Sequence, residues 1–273
     1  MANIILMAGK GQRFADVGYK LSKPLLPVSG KPMIVRAVES MPPSDDWVFV
    51  VRQDHLEEKE VIATLKSVAP NVTVMVDPNP TGQLNSCLVA KAHYDSDVPM
   101  FVGACDFGMV YDKARYAELM SGPDAPDMLV WSFTQQPNLT RNPQAWGWLK
   151  QDKDFNIHGV SVKVPVSDDP FNDYAICGSF SFKSGKTFLK IADELVRRDI
   201  RVKGEFYIDS MIGLAVEMGY RVVSFPVQYI GWGVPADYEE YLWWEKAIAD
   251  PLLYADAASE SEYKFWKQYF FRT

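Results

Sequence analysis

The sequence predicts an α/β protein built on a mostly parallel sheet with helices on both faces. Two observations lead there. Short, nearly all-apolar runs recur at residues 3–7, 47–51, 72–76 and 100–104, and segments of helical spacing separate them. Strands buried on both faces read as continuous apolar runs, which is how a parallel sheet covered by helices is written.

The elements follow in order. Asn3-Ile4-Ile5-Leu6-Met7 is a short buried strand. Pro32 opens a helix to about residue 41, because proline suits the first helical turn. Residues 47–51 form the second strand. Leu56, Val61, Ile62 and Leu65 give 56–68 helical spacing. A third strand over 72–76, a helix over 82–93 and a fourth strand over 100–104 complete the alternation. The middle is less regular. A strand is expected over 128–133, an antiparallel pair over 146–150 and 157–163, and another strand over 174–182. Helices are expected over 186–198, 206–218, 237–249 and 260–271, with a late strand over 221–225. No linker or repeat interrupts the chain. The expected organisation is one domain, 1–273, with an antiparallel insertion over about 134–182 and a helical C-terminus over 235–273.

Composition narrows the function. The net charge is −7, from 28 basic and 35 acidic side chains, so no general basic excess exists to hold nucleic acid. No apolar run is long enough to span a membrane. Cys87, Cys105 and Cys177 are odd in number and far apart, which points to reduced core cysteines in a cytoplasmic protein. The three histidines share no motif and receive no role.

After the first strand comes Ala8-Gly9-Lys10-Gly11-Gln12-Arg13. Two glycines let backbone amides approach phosphate oxygens, and Arg13 adds a forked donor set. Alone, the pattern fits a tight strand-to-helix turn equally well. Its sequel adds more. Lys23-Pro24-Leu25 puts a lysine on a proline-stiffened segment, and Gly30-Lys31-Pro32 follows. A lysine so placed neutralises charge on bridging phosphate oxygens. Further on, Asp106 falls just past a buried strand, where open α/β sheets hold their ligands. A hard carboxylate there suits Mg²⁺.

From Ala8 through Pro32 the chain resembles the nucleoside-triphosphate transferase family, typified by sugar-phosphate nucleotidylyltransferases. That signature is a strand, Ala-Gly-x-Gly-x-Arg, then Lys-Pro-Leu and Gly-Lys-Pro. The resemblance implies a Rossmann-like sheet with Ala8, Gly9, Lys10, Gly11, Gln12 and Arg13 wrapped around a triphosphate. It implies that Lys23, with Arg13, assists attack on the α-phosphate, and that Asp106 holds Mg²⁺. The dinucleotide fingerprint is absent, because position 14 is Phe.

The resemblance also places a base pocket at Gly82 and Gln83, with Ser86 one turn on; Gln83 can both donate and accept. A plain capping turn with Thr81 as N-cap competes for the same residues. The family's second metal carboxylate falls near Gly231 here and is missing, leaving Asp209 or Asp237 to stand in. On the acceptor side the resemblance points to Gly147, Lys163, Tyr174, Gly178 and Glu205. Glu205 reads equally well as a charge in a helix's first turn. The family glutamate that holds sugar hydroxyls is Val162 here.

The implied activity is transfer of a nucleoside monophosphate from a triphosphate (CTP, UTP or dTTP favoured) to a sugar phosphate, with pyrophosphate released. Two other readings stay open. One is a cytidylyltransferase acting on a non-sugar phosphate for surface-polysaccharide decoration. The other is a non-catalytic nucleotide-sugar sensor or subunit. Trp243, Trp244, Trp266, Tyr269, Phe270 and Phe271 are expected to pack the last helices against the domain, with a homodimer contact as the alternative.

Overall fold

The computed structural model describes residues 1–250 and 260–271. A nine-stranded mixed sheet forms its centre. Four parallel strands carry the first half: β1 (Ala2–Leu6), β4 (Asp46–Val51), β5 (Val72–Val76) and β6 (Met100–Ala104), ordered β6-β1-β4-β5. Between them lie two small strands, β2 (Pro27–Val28) and β3 (Lys31–Pro32), which pair only with each other. Side chains alternate between faces as a pleated sheet requires. Ile5, Phe49 and Phe101 enter one core, whereas Ile4, Val48 and Val102 enter the other. The Rossmann-like α/β class is therefore as expected.

The second half differs in one respect. Strand β11 (Ala175–Phe182) runs antiparallel inside the main sheet, bonded to both β6 and β8 (Met128–Phe133). It carries the hairpin β9 (Gly147–Gln151) and β10 (Ile157–Val162) through the pairing of Ala175 with Trp148. The antiparallel segment is thus an extension of the central sheet. The cause lies in Phe180 and Phe182, whose buried side chains fasten the second half of β11 into the core. A register shift between Ile176 and Phe180 bulges the strand, with Gly178 at φ 89° inside it.

Helices cover both faces. The stretch expected as one helix over 56–68 is two, α3 (Gln53–Glu57) and α4 (Lys59–Ser67), and 82–93 divides into α5 (Gln83–Val89) and α6 (Lys91–Tyr94). Helix α9 (Gly185–Arg197) opens with a Ser184 side chain capping the Thr187 amide. α10 (Asp209–Glu217) precedes β12 (Val222–Pro226), which pairs in parallel with β8. Strand β13 (Gln228–Gly231) pairs with β7 (Phe107–Val110) outside the main sheet, and neither was expected from sequence. The C-terminal helices α11 (Pro235–Ala249) and α12 (Glu260–Phe270) bury Trp244 and Trp266 in a stack, as expected, while Trp243 and Phe271 stay exposed. Among the described residues no helix is long and apolar enough to cross a membrane.

Candidate active site

The carboxyl ends of β1, β4, β5 and β6 share one edge of the sheet, because the four run parallel. The chain leaving each end supplies one part of the site: the glycine loop after β1, Arg52 after β4, Asp77 after β5 and Asp106 after β6. Two cavities open there, of about 280 and 420 Å³, and Gly9 and Lys10 line both. The glycine loop divides them.

The smaller cavity is basic. Lys10, Lys20, Lys23 and Arg52 line it, with Asp106 and His55. Lys23 sits on a short 3-10 turn, Lys23–Leu25, fixed by Pro24. Its ammonium lies 2.5 Å from Asp106 Oδ2. Burial alone would pull the Lys23 pKa down, but the Asp106 carboxylate holds it above its ordinary value. Asp106 is itself gripped from behind. Its carbonyl accepts the Trp232 amide at 2.8 Å, and a Cβ on Gly233 would stand 3.0 Å from its Oδ2. The turn after Trp232 thus needs a small residue at Gly233 to close on the carboxylate.

The larger cavity is lined by Gly82, Gln83, Ser86, Gly178, Glu205 and Tyr207, with Ala8 on the loop side. Gly82 adopts φ 117°, and a Cβ there would lie 2.8 Å from the Phe206 carbonyl. Only glycine fits that approach. Gly82, with no side-chain bond, is also the N-cap of α5, so Thr81 does not cap it; Thr81 Oγ1 accepts from Asn85 instead. Ser86 is buried and donates to Asp77 Oδ2 at 2.6 Å, which commits its hydroxyl to holding the loop. Glu205 faces the cavity and accepts from the Tyr207 hydroxyl at 2.9 Å.

Other expected residues fall elsewhere. Gln12 and Arg13 belong to α1 (Gln12–Asp16) and are exposed, with Gln12 bonded to Asp16; neither lines a cavity wall. Lys163 is exposed at the end of the β9–β10 hairpin, at φ 60°, with its amide on the Trp146 carbonyl. Gly147 is beside it, and a Cβ there would lie 3.7 Å from Asp209 Oδ2. Tyr174 packs edge-on against Phe155. Asp237 does not line the basic cavity with Asp106. Asp237 opens α11 and lines a separate crevice with Arg141 and Glu240. Burial and Glu240 push its pKa up. Gly231 has no room for the missing carboxylate, since a Cβ there would meet the Tyr229 hydroxyl at 2.9 Å.

Arg52, His55, Lys20 and Tyr207 were missed from sequence. Arg52 and His55 follow a buried strand end, the same signal that singled out Asp106. All three cysteines are free and buried, as expected.

The residues present fit a magnesium ion held on one carboxylate. Among the described residues no group of three or more His, Cys, Asp or Glu side chains is placed to hold a metal. Asp106 alone offers a carboxylate in the basic cavity, and Mg²⁺ is commonly held by one or two carboxylates with phosphate oxygens completing the shell.

A strand edge lined by lysines and Arg52, a glycine loop and one strand-end aspartate mark an α/β protein with a site suited to an anionic ligand. The chain belongs to the family of MobA-like NTP transferase domains, which matches residues 3–263. It is 25% identical over 248 residues to the low-salt glycan biosynthesis nucleotidyltransferase Agl11 of Haloferax volcanii, covering 87% of this chain and 64% of that protein. It is 26% identical over 253 residues to the CMP-5'-(3-aminopropyl)phosphonate synthase of Streptomyces rubellomurinus, covering 91% of this chain and 37% of that one. The chain therefore spans less than two thirds of the length of either relative. Among solved structures, a nucleoside-diphosphate-sugar pyrophosphorylase from Vibrio cholerae RC9 superposes with a TM-score of 0.68 at 18% identity, over 89% of this chain and 99% of that one.

Proposed function

We propose that this chain is a Mg²⁺-dependent nucleotidylyltransferase that joins the nucleoside monophosphate of a triphosphate to a small phosphorylated acceptor and releases pyrophosphate. The observation that carries this is the pair of cavities meeting at Gly9 and Lys10, one basic with Lys23 and Asp106, the other lined by Gln83, Gly82 and Glu205. The basic cavity takes the triphosphate. Its mouth at the loop is where the acceptor phosphate attacks the α-phosphorus.

An acceptor phosphate dianion is already a nucleophile, so no side-chain base is required. Catalysis is positioning and charge neutralisation. Lys23, nearly enclosed and held cationic, balances charge that moves onto the leaving phosphate oxygens. Lys10, on the shared wall, screens the triphosphate from the acceptor's own negative charge. Gln83 offers a donor and an acceptor to the base, and Glu205 accepts from hydroxyl groups. Asp106 would hold Mg²⁺, which when bound supplies Lewis-acid neutralisation of the phosphates.

The acceptor in the first reading is a sugar phosphate. A non-sugar phosphate or phosphonate is the second. It is supported by Val162, 56% exposed where the family carboxylate stands, and by the aminopropylphosphonate named for one relative. The test is pyrophosphate release with Mg²⁺, each of CTP, UTP, dTTP, GTP and ATP being paired with sugar and non-sugar phosphates. Release that needs both one triphosphate and an acceptor supports the reading. Nucleotide binding without release from any pair supports a sensor.

A further inference from the structure

We propose that Arg52 and His55 form the terminal-phosphate end of the basic cavity, gripping the part of the triphosphate that departs as pyrophosphate. This rests on the nucleotidyltransferase reading above and adds two ligand-contacting residues to it.

Three observations carry the proposal. First, His55 is 2% exposed, lines the cavity, and leaves its Nδ1 buried without a hydrogen-bond partner. A buried polar atom left unpaired is unfavourable, and a ligand oxygen or a ligand-borne water in the adjoining cavity would satisfy it. Second, Arg52 is held rigid there. Its Nε and Nη2 donate to the two oxygens of Asp54 at 2.8 and 2.7 Å, and its Nη1 donates to the Gly9 carbonyl. That last bond turns a loop carbonyl dipole onto a cation and away from incoming phosphate. Third, the topology sets the span. β4 and β6 flank β1 on opposite sides, so Arg52 and Asp106 leave strand ends two spacings apart, about 10 Å. A triphosphate with its α-phosphate near Lys23 and Asp106 would bridge that distance beneath the glycine loop. Lys10 and Lys20 on the same wall form no salt bridge with described residues, so their charge is available to the same anion.

Burial first, and then the Arg52 guanidinium, push the His55 pKa down, against the pull of Asp54 and Glu58. The positive charge at this end of the cavity comes from Arg52, and His55 offers its unpartnered Nδ1.

Binding of inorganic pyrophosphate with Mg²⁺ to the full chain tests this by calorimetry. The wild type should bind, while Arg52→Met and His55→Leu should each weaken binding about tenfold or more. Variants that bind within twofold of the wild type overturn the assignment and leave the enzyme reading standing. No binding by the wild type instead fails the enzyme reading itself. A measurement on the unaltered chain guards against misfolded variants. The protein has three histidines, so their ring proton resonances are few. Pyrophosphate should shift the His55 signal and leave those of His93 and His158 in place. An unmoved His55 signal at saturation overturns the proposal.

Discussion

The Lys23 ammonium lies 2.5 Å from Asp106 Oδ2, although the two are 83 positions apart in the chain. Each is the other's counterion at the mouth of the basic cavity, and each is mostly enclosed, with side chains 17% and 25% exposed. Deleting one leaves the other charge uncompensated in a desolvated place. The ligand-free pair therefore holds the Lys23 ammonium in place at the cavity mouth, ready for a phosphate.

Lys23→Ala should lower turnover about 10²–10³-fold, the usual loss when one oxyanion donor is removed. The KM for nucleoside triphosphate should change only a few-fold, because Lys10, Lys20 and Arg52 remain. Steady-state kinetics of pyrophosphate release measure both. Unchanged turnover would remove Lys23 from the mechanism.

Asp106→Asn should separate metal from fold. The carbonyl of residue 106 still accepts from Trp232, so the turn is kept. Magnesium dependence should move to concentrations at least tenfold higher, with the unfolding midpoint nearly unchanged. A variant with the wild-type magnesium profile would place the metal elsewhere.

Gly82→Ala should cost about 1–3 kcal/mol of stability, the usual range for a strained backbone. At φ 117° an alanine is strained, and its Cβ would stand 2.8 Å from the Phe206 carbonyl. The residues that move are those that aim Glu205, so the acceptor KM should rise as well. Thermal unfolding and acceptor kinetics check the two halves separately.

Much of this was legible because the chemistry and the period coincide. Gly82 and Gly178, picked out as base-side and acceptor-side candidates, both line the larger cavity, and Asp106 was found from the buried strand before it. What escaped has physical causes. β7 and β13 are short and pair only with each other, so their pattern never extends to a full strand signal. Arg13 is exposed on α1 and lines neither cavity, and its charge still acts on Lys23. The joining of β11 to β6 depends on a contact between distant residues, Ser181 with Phe101, that no local pattern encodes. His55 looked idle because its meaning lies in an unpaired nitrogen and a neighbouring cavity.

Asp209→Asn should stabilise the fold at neutral pH. Desolvation pushes the Asp209 carboxyl up to about 6. The folded chain therefore holds this proton more tightly than the unfolded chain. Its stabilising contribution is present below about pH 4 and is lost as the pH rises through about 6. The Asn variant should be more stable by about 1–3 kcal/mol at pH 7.5 and equal to the wild type near pH 4. Urea unfolding at the two values decides it; an equal offset at both would mean that desolvation is not the cause.

Gly231→Asp should fail to supply a second metal carboxylate. A Cβ at 231 would meet the Tyr229 hydroxyl at 2.9 Å. Tyr229 cannot swing aside, because its ring stacks on Phe133 at 4.7 Å and meets Phe107 at 5.4 Å and Trp146 at 5.8 Å. Overpacking of this kind costs about 1–3 kcal/mol. The single variant should be destabilised with no tighter magnesium dependence. Adding Tyr229→Phe removes the closest atom and should recover part of the lost stability. If Gly231→Asp alone lowers the magnesium requirement, the tyrosine is mobile and the site has room for two carboxylates.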